Sequence, residues 1–375
     1  MVMVRNWFYD AGIFKSYSFS KPIISVGNLE VGGAGKSPMT EYLIRLLKNK
    51  YNIATLSRGY GRETKGYLVA GEENQEPGIK NQESRDKNQD AKDSDSKLIP
   101  VVIGTQNSKL SSQIGDEPAQ FKQKFPDITV AVCEKRVVGI NHLLPDHDLI
   151  ILDDAYQHRA VTPGLSILLF DYNKINEPRF MLPAGNFREP FSGRWRAQII
   201  IITKCPLNLS PEKQYLLLER IKPLPYQQLF FSGIGYQKFQ TPGGEPADFD
   251  LDDNTTVFLL TGIANSAPLL DYLKGYGCRV IHHNYPDHHP FTLKNITKLA
   301  DEFLSCAAEK KVIITTEKDA QRLNEQWFKP ALEDVENLPV FVLPIQVEFL
   351  NNGNAAFDQI IYNYVREHTE FDGVH

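Results

Sequence analysis

The sequence predicts an α/β protein with a mostly parallel sheet and a second, smaller α/β domain, the two joined by a two-stranded linker. Three observations carry that expectation. Continuous apolar runs recur at 23–26, 53–56, 129–133, 149–152, 165–170 and 199–203, and unbroken apolarity marks strands buried on both faces of a parallel sheet. The first run leads into a glycine turn ending in Lys36 and Ser37, after which Met39, Tyr42, Leu43, Leu46 and Leu47 recur at helical spacing. From Phe230 the pattern alternates over 231–239, breaks at a Pro/Gly stretch at 241–246, and resumes as a second set of α/β units. These changes divide the 375 residues into 1–229, a linker at 230–246, a second domain at 247–343 and a return strand with a C-terminal helix at 344–375.

Composition narrows the partners. The formal net charge of −5 and apolar fraction of 42% suit a globular protein acting on a small or lipidic molecule, and argue against nucleic acid, whose phosphates select basic faces. Cys133, Cys205, Cys278 and Cys306 stand singly, as reduced core cysteines do. No apolar run reaches the roughly 18 residues that span a bilayer. In residues 1–19, however, Trp7, Phe8, Tyr9, Phe14 and Tyr17 interleave with Arg5 and Lys15, which suits a membrane interface and equally a helix docked on the protein's own core.

Taken in chain order, the first site element is the glycine turn. Gly32, Gly33, Ala34 and Gly35 present backbone amides to an anion, Lys36 reaches terminal phosphates and Ser37 holds magnesium, as in P-loop NTPases. Glu30 stands where the common pattern has its first glycine, so the glycines are bunched at the helix. The next turn is Ser57-Arg58-Gly59-Tyr60-Gly61-Arg62, followed by a polar stretch at 72–97 too poor in apolar residues to fold, which is expected to be a disordered insertion. Gly115-Asp116-Glu117-Pro118 offers a carboxylate as proton acceptor or metal ligand. The run ending in Asp153 and Asp154 places paired carboxylates where phosphate-loop enzymes hold their metal. Arg188, in Leu182-Pro183-Ala184-Gly185-Asn186-Phe187-Arg188-Glu189-Pro190, brings a forked donor for phosphate, as do Arg58 and Arg62. Pro206, in Thr203-Lys204-Cys205-Pro206, stands where a guanine-reading Asp would be, so ATP is the expected nucleotide. His282, His283, His288 and His289 match no structural zinc spacing; one in the proline-flanked turn suits a base, and His282 and His283 read as surface residues.

Together these motifs resemble the tetraacyldisaccharide 4'-kinase family. The likeness rests on Ser-Val-Gly-Asn-Leu with Gly-Gly-Ala-Gly-Lys-Ser, Ser-Arg-Gly-Tyr-Gly-Arg, Gly-Asp-Glu-Pro, Asp-Asp-Ala-Tyr-Gln-His-Arg and Leu-Pro-Ala-Gly-Asn-Phe-Arg-Glu-Pro. It continues through Thr-Gly-Ile-Ala-Asn, Pro-Asp-His-His-Pro-Phe and Thr-Glu-Lys-Asp-Ala, in order from residue 25 to about 320. The resemblance implies transfer of the γ-phosphate of ATP, with Mg2+, to the 4'-hydroxyl of a tetraacyldisaccharide 1-phosphate, giving lipid IVA at the cytoplasmic face of the inner membrane. It implies peripheral attachment and no obligatory protein partner. Carried over, it makes Lys36 and Ser37 the phosphate and magnesium residues, with Asp153, Asp154 and Glu117 on the metal. It pairs Asp116 with His288 as a proton-accepting dyad, and gives Arg58, Tyr60, Arg188 and Glu189 to substrate. Two departures stand out: the opening apolar stretch is shorter than the family's N-terminal helix, and Ala155 replaces a glycine after the Asp pair. The same phosphate loop also fits a kinase of a soluble metabolite, or a nucleotide switch that serves a protein partner or a metal.

Overall fold

The structure is a computed structural model and describes residues 2–71, 105–287, 289–327 and 338–370; the expected insertion at 72–97 and His288 lie outside the described residues. Helix α1 (Val2–Asp10) buries none of its side chains and precedes β1 (Ile23–Asn28), which runs into α2 (Lys36–Leu47). Then come β2 (Ile53–Ser57), β3 (Leu68–Val69), α3 (Thr105–Ile114), α4 (Asp116–Lys124), β4 (Thr129–Val132) and α5 (Arg136–Leu143). The lobe continues with β5 (Leu149–Asp153), β6 (Leu165–Asp171), β7 (Ile199–Thr203), α6 (Pro211–Ile221) and β8 (Gln228–Tyr236). Every residue of β1, β2, β5, β6 and β7 is buried, which accounts for their unbroken apolar reading.

The second lobe holds β9 (Thr256–Thr261), α7 (Ala267–Lys274), β10 (Arg279–Asn284), α8 (Leu293–Ser305), β11 (Lys311–Thr315), α9 (Glu317–Trp327) and β12 (Val340–Val342), with β13 (Ile345–Phe349) and α10 (Gly353–Glu370) closing the chain. Its sheet is parallel throughout, in the order β10-β9-β11-β12. The large sheet has nine strands in the order β13-β8-β7-β6-β1-β5-β2-β4-β3. It is parallel except where β13 pairs with β8 and β3 with β4. The expected pairing of the return strand is therefore present, with Val347 opposite Ile234. The pair is more than a connection, because β8 also pairs in parallel with β7 and extends the large sheet.

Helix α2 packs by spacing: Met39, Leu43, Ile44 and Leu47 are all fully buried, a one-sided stripe worth about 1.5–3 kcal/mol per side chain. Its other side is covered by α10, whose Phe357, Ile361 and Val365 recur every fourth residue and are fully buried, while Tyr42 donates to Asp358 at 2.8 Å. The helix that carries the glycine turn is thus clamped between sheet and C-terminus. In the second lobe two of the family-like motifs hold each other: the buried carboxylate of Asp319 accepts from Gly262 N at 3.0 Å and from the Thr316 hydroxyl at 2.7 Å. The histidine expectation needs correction there. His283 is buried against Glu302, with Nε2 3.3 Å from its carboxylate, while His282 is half-buried and shares a 2.8 Å hydrogen bond with Thr261, so neither is a free surface group.

Candidate active site

Strand register builds the site. Because β1 lies between β5 and β6, with Val26 opposite Asp153, the glycine turn and the Asp pair leave the same edge of the sheet side by side. Open α/β sheets place ligands at this carboxyl edge. Gly32 and Gly35 hold φ of 101° and 83°, a left-handed region where a side chain is strained. The loop is braced from beneath, where Thr203 donates to the Ala34 carbonyl at 2.9 Å. Glu30 makes an isolated antiparallel bridge to Phe187 just beyond β1, with Val31 N donating to Asn186 O at 2.8 Å and Arg188 N to Leu29 O at 2.7 Å, so the proline-rich segment pins the start of the turn. A glycine is not needed at this position, because Glu30 has no left-handed φ. Burial pushes the Glu30 carboxyl up to about 7, against the pull of Lys174.

The metal side is formed by α2, α4 and β5. Ser37 Oγ donates to Glu117 Oε1 at 3.0 Å, and Thr40, one turn further along α2, donates to Asp153 Oδ1 at 3.2 Å. Asp153 is only 1% exposed; burial, and then the charges of Glu117 and Asp154, push its carboxyl up to about 7 against the pull of Lys36. A buried carboxylate facing two neighbouring carboxylates is a donor set that a divalent cation can complete. Among the described residues no three His, Cys, Asp or Glu side chains converge as a self-sufficient metal site. Magnesium does not require one, since it takes one or two carboxylates together with phosphate and water. Ser37, Asp153 and Glu117 therefore fit it.

The two aspartates face differently. Asp154, at φ 48°, turns its carboxylate away from the sheet, where Arg188 Nη1 contacts both oxygens at 3.0 Å and Lys36 Nζ lies 3.6 Å away. The strained position is Asp154, and Ala155 has an ordinary φ, so alanine fits there without cost. Glu189 is completely buried and gathers Arg196, Asn6 of α1 and Gln157, the last two at 3.1 Å. Those partners leave Glu189 holding the first helix and the Asp-pair turn together. Its replacement by alanine takes the counter-charge from the Arg196 guanidinium, leaving it only the Tyr156 carbonyl and ring, and is expected to cost about 3 kcal/mol, read by urea unfolding; a residue serving substrate alone would leave stability unchanged.

Arg58 and Tyr60 lie on an exposed turn, with Tyr60 91% exposed, while Arg62 is turned inward onto Glu134 and the Gly66 carbonyl. This turn packs on the one before α4: Gly115 has φ 94°, and a Cβ there would come within 2.8 Å of the Tyr60 carbonyl. Asp116, first in α4 and exposed, stands next to Glu117 at that junction. The structure thus gathers Lys36, Ser37, Glu117, Asp153, Asp154 and Arg188 at one edge of the sheet, as the pair Ser37–Glu117, the group Lys36–Asp154–Arg188 and Asp153 on Thr40, and leaves Tyr60 and Arg58 at the rim. Sequence reading passed over Thr40 and Arg136. Arg136 is 1% exposed, bonded to the Cys133 carbonyl at 2.6 Å and left with an unpartnered Nε. Burial lowers its pKa to about 10, against the field of Asp153 and Asp154. Nothing in its sequence setting distinguishes it from a solvated arginine.

A glycine turn ahead of a helix, a buried strand-end aspartate and a hydroxyl between them define a P-loop phosphotransferase. The chain belongs to the tetraacyldisaccharide-1-P 4'-kinase family, which it matches over residues 1–84 and 94–366. It is 40% identical to the tetraacyldisaccharide 4'-kinase of Bacteroides thetaiotaomicron, across 98% of this chain and 91% of that one. It is 39% identical to that of Flavobacterium johnsoniae, across 98% and 94%. The crystal structure of LpxK from Aquifex aeolicus in complex with ATP is similar at a TM-score of 0.66 and 26% identity, covering 97% of this chain and 95% of that one.

Proposed function

We propose that the protein transfers the γ-phosphate of ATP to the 4'-hydroxyl of a tetraacyldisaccharide 1-phosphate, the step that yields lipid IVA. The observation that supports this most is the convergence of Lys36, Ser37, Glu117 and Asp153 within a chain that matches the kinase family almost end to end. In the reaction the sugar oxygen forms a bond to the γ-phosphorus, the bond to the β–γ bridging oxygen breaks, and the hydroxyl proton leaves to a base. We assign that base to Asp116 working with His288. Lys36 neutralises charge on the transferred group, Asp154, itself fixed by Arg188, holds Lys36 in place, and Ser37, Asp153 and Glu117 would hold the metal. A magnesium ion held by Ser37, Asp153 and Glu117 would supply charge neutralisation for the transferred phosphoryl group.

The same reading places the protein on the cytoplasmic face of the inner membrane through its first residues. Met3, Val4, Trp7, Ile13, Phe14 and Tyr17 all face outward, Met3 at 62% and Trp7 at 60% exposure, while α1 is fixed beneath by Asn6 to Glu189 and Asp10 to Arg159 at 2.7 Å. An amphipathic surface rimmed by basic residues suits an interface. Among the described residues no helix is long and apolar enough to cross a membrane.

The test is transfer from γ-labelled ATP to the lipid in detergent micelles, comparing wild type with Asp116→Ala. A loss in kcat of about 10²–10⁴-fold with ATP affinity retained supports the dyad. Full activity in the variant removes Asp116 from the chemistry, and ATP hydrolysis with no labelled lipid from the wild type rejects the substrate.

A further inference from the structure

We propose that Lys124 is a positioning residue for the phosphoryl transfer, whose ammonium ties the second lobe to the two helices that carry Ser37 and Asp116. On α2, Ser37 and Glu41 are four residues apart and share a face; on α4, Glu117, Gln120 and Lys124 share one at spacings of three and four. The helices therefore meet on two rungs. The upper is Ser37 to Glu117 at 3.0 Å. The lower is Glu41, buried, accepting from Gln120 at 3.1 Å and from Lys124 at 2.7 Å. Those contacts already join α2 to α4.

The second lobe adds a further charge to the lower rung. Glu317, first residue of α9, reaches Lys124 Nζ at 2.5 Å, where the two side chains are 13% and 17% exposed. One lysine thus separates two buried carboxylates that belong to different lobes. With Arg45 also on Glu41 at 3.0 Å, two positive and two negative charges balance. Lys124 lies eight residues along α4 from Asp116, about 12 Å at the helical rise, so a tilt of the second lobe about this tie moves whatever that lobe presents to Asp116. The inference rests on the reading above, in which Asp116 acts with a group from the second lobe.

Removing the lysine should do more than lose a bond, because it leaves Glu41 and Glu317 facing each other. The test uses the full chain: kcat and KM for lipid phosphorylation in micelles, MgATP affinity, thermal unfolding, and the radius of gyration by small-angle scattering. Lys124→Met is expected to lower kcat by about 10–100-fold, as ångström-scale misplacement of reacting groups does, with MgATP affinity within about twofold and a larger radius of gyration. Lys124→Arg should remain near wild type. Adding Glu317→Gln to Lys124→Met removes the facing charge and should recover activity several-fold over the single variant, a coupling that mere loss of packing would not give. Wild-type kcat and an unchanged radius in Lys124→Met overturn the proposal, as does a double variant no better than the single. If Lys124→Met fails to fold, Glu317→Gln alone decides: a fall in kcat of about threefold or more with unchanged melting supports the tie, and unchanged kcat and scattering overturn it. A wild type that labels no lipid defeats the functional reading instead, while the scattering comparison still reports on the tie.

Discussion

Lys36→Ala is expected to reduce phosphate transfer to the lipid by about 10³-fold or more while leaving the fold intact. The lysine is the first residue of α2, 9% exposed, and held 3.6 Å from Asp154. Its partner does not become an uncompensated buried charge on substitution, because Arg188 remains on both oxygens of Asp154 at 3.0 Å. Melting should therefore move by only a few degrees, of the order that about 1 kcal/mol produces. The loss falls on chemistry because a phosphoryl group in flight needs a fixed cation where charge gathers, and an arginine's planar fork does not replace the point charge of an ammonium. Single-turnover labelling at saturating ATP is the check; activity above a tenth of wild type would show that another cation carries the role.

Asp153→Asn should separate activity from stability in opposite directions. Activity should fall by about 10²-fold or more, since on the proposed reading the metal would lose a buried carboxylate. Stability without ligand should rise. The folded-state pKa of Asp153 is pushed up to about 7 by burial first and then by Glu117 and Asp154, above the ordinary value of about 4. A carboxyl raised in this way favours the fold when protonated. That contribution is complete below about pH 4 and is lost as pH rises through about 7. Asparagine escapes the loss, so the variant should exceed wild type by about 1–3 kcal/mol at pH 8 and by almost nothing at pH 4. MgATP should reverse the order at pH 8 by stabilising wild type more. Thermal unfolding at the two pH values, with and without MgATP, gives all four comparisons; a variant less stable than wild type at pH 8 without ligand would refute the account.

Much of this site is visible in the chain because its parts are local. The glycine turn, Lys36, Ser37 and the following helix lie within a few residues of one another, and their backbone requirements are written in residue type. The same holds for the strand ending at Asp153, and for α10, whose buried residues recur at helical spacing. What escaped notice has partners far away in sequence. Thr40 reads as an ordinary helix residue until Asp153, 113 positions on, is seen at 3.2 Å. Arg136 is a charged residue that any composition rule would send to solvent, and so is Glu189, which the resemblance gives to substrate; burial within a charged network is a property of the assembled fold. His282 and His283 were misplaced for the same reason: they stand on β10, where exposure is set by what covers the strand and not by the residue itself.

Taken alone, the sequence determined the chemistry: a nucleotide cradle, a metal side, a family and with it an acceptor. Residue type fixes what a group can bind or donate, and contiguous motifs fix the backbone that presents it. Only the tertiary structure decided the division of labour. The turn at Asp154 sends its carboxylate to Lys36 and Arg188 while Asp153 stays buried against Thr40, burial makes Glu189 a brace for α1, and Lys124 meets Glu317 of the second lobe. Such contacts depend on strand register and lobe packing, which place distant residues together by summing many weak apolar contributions, and no short window of sequence contains that sum.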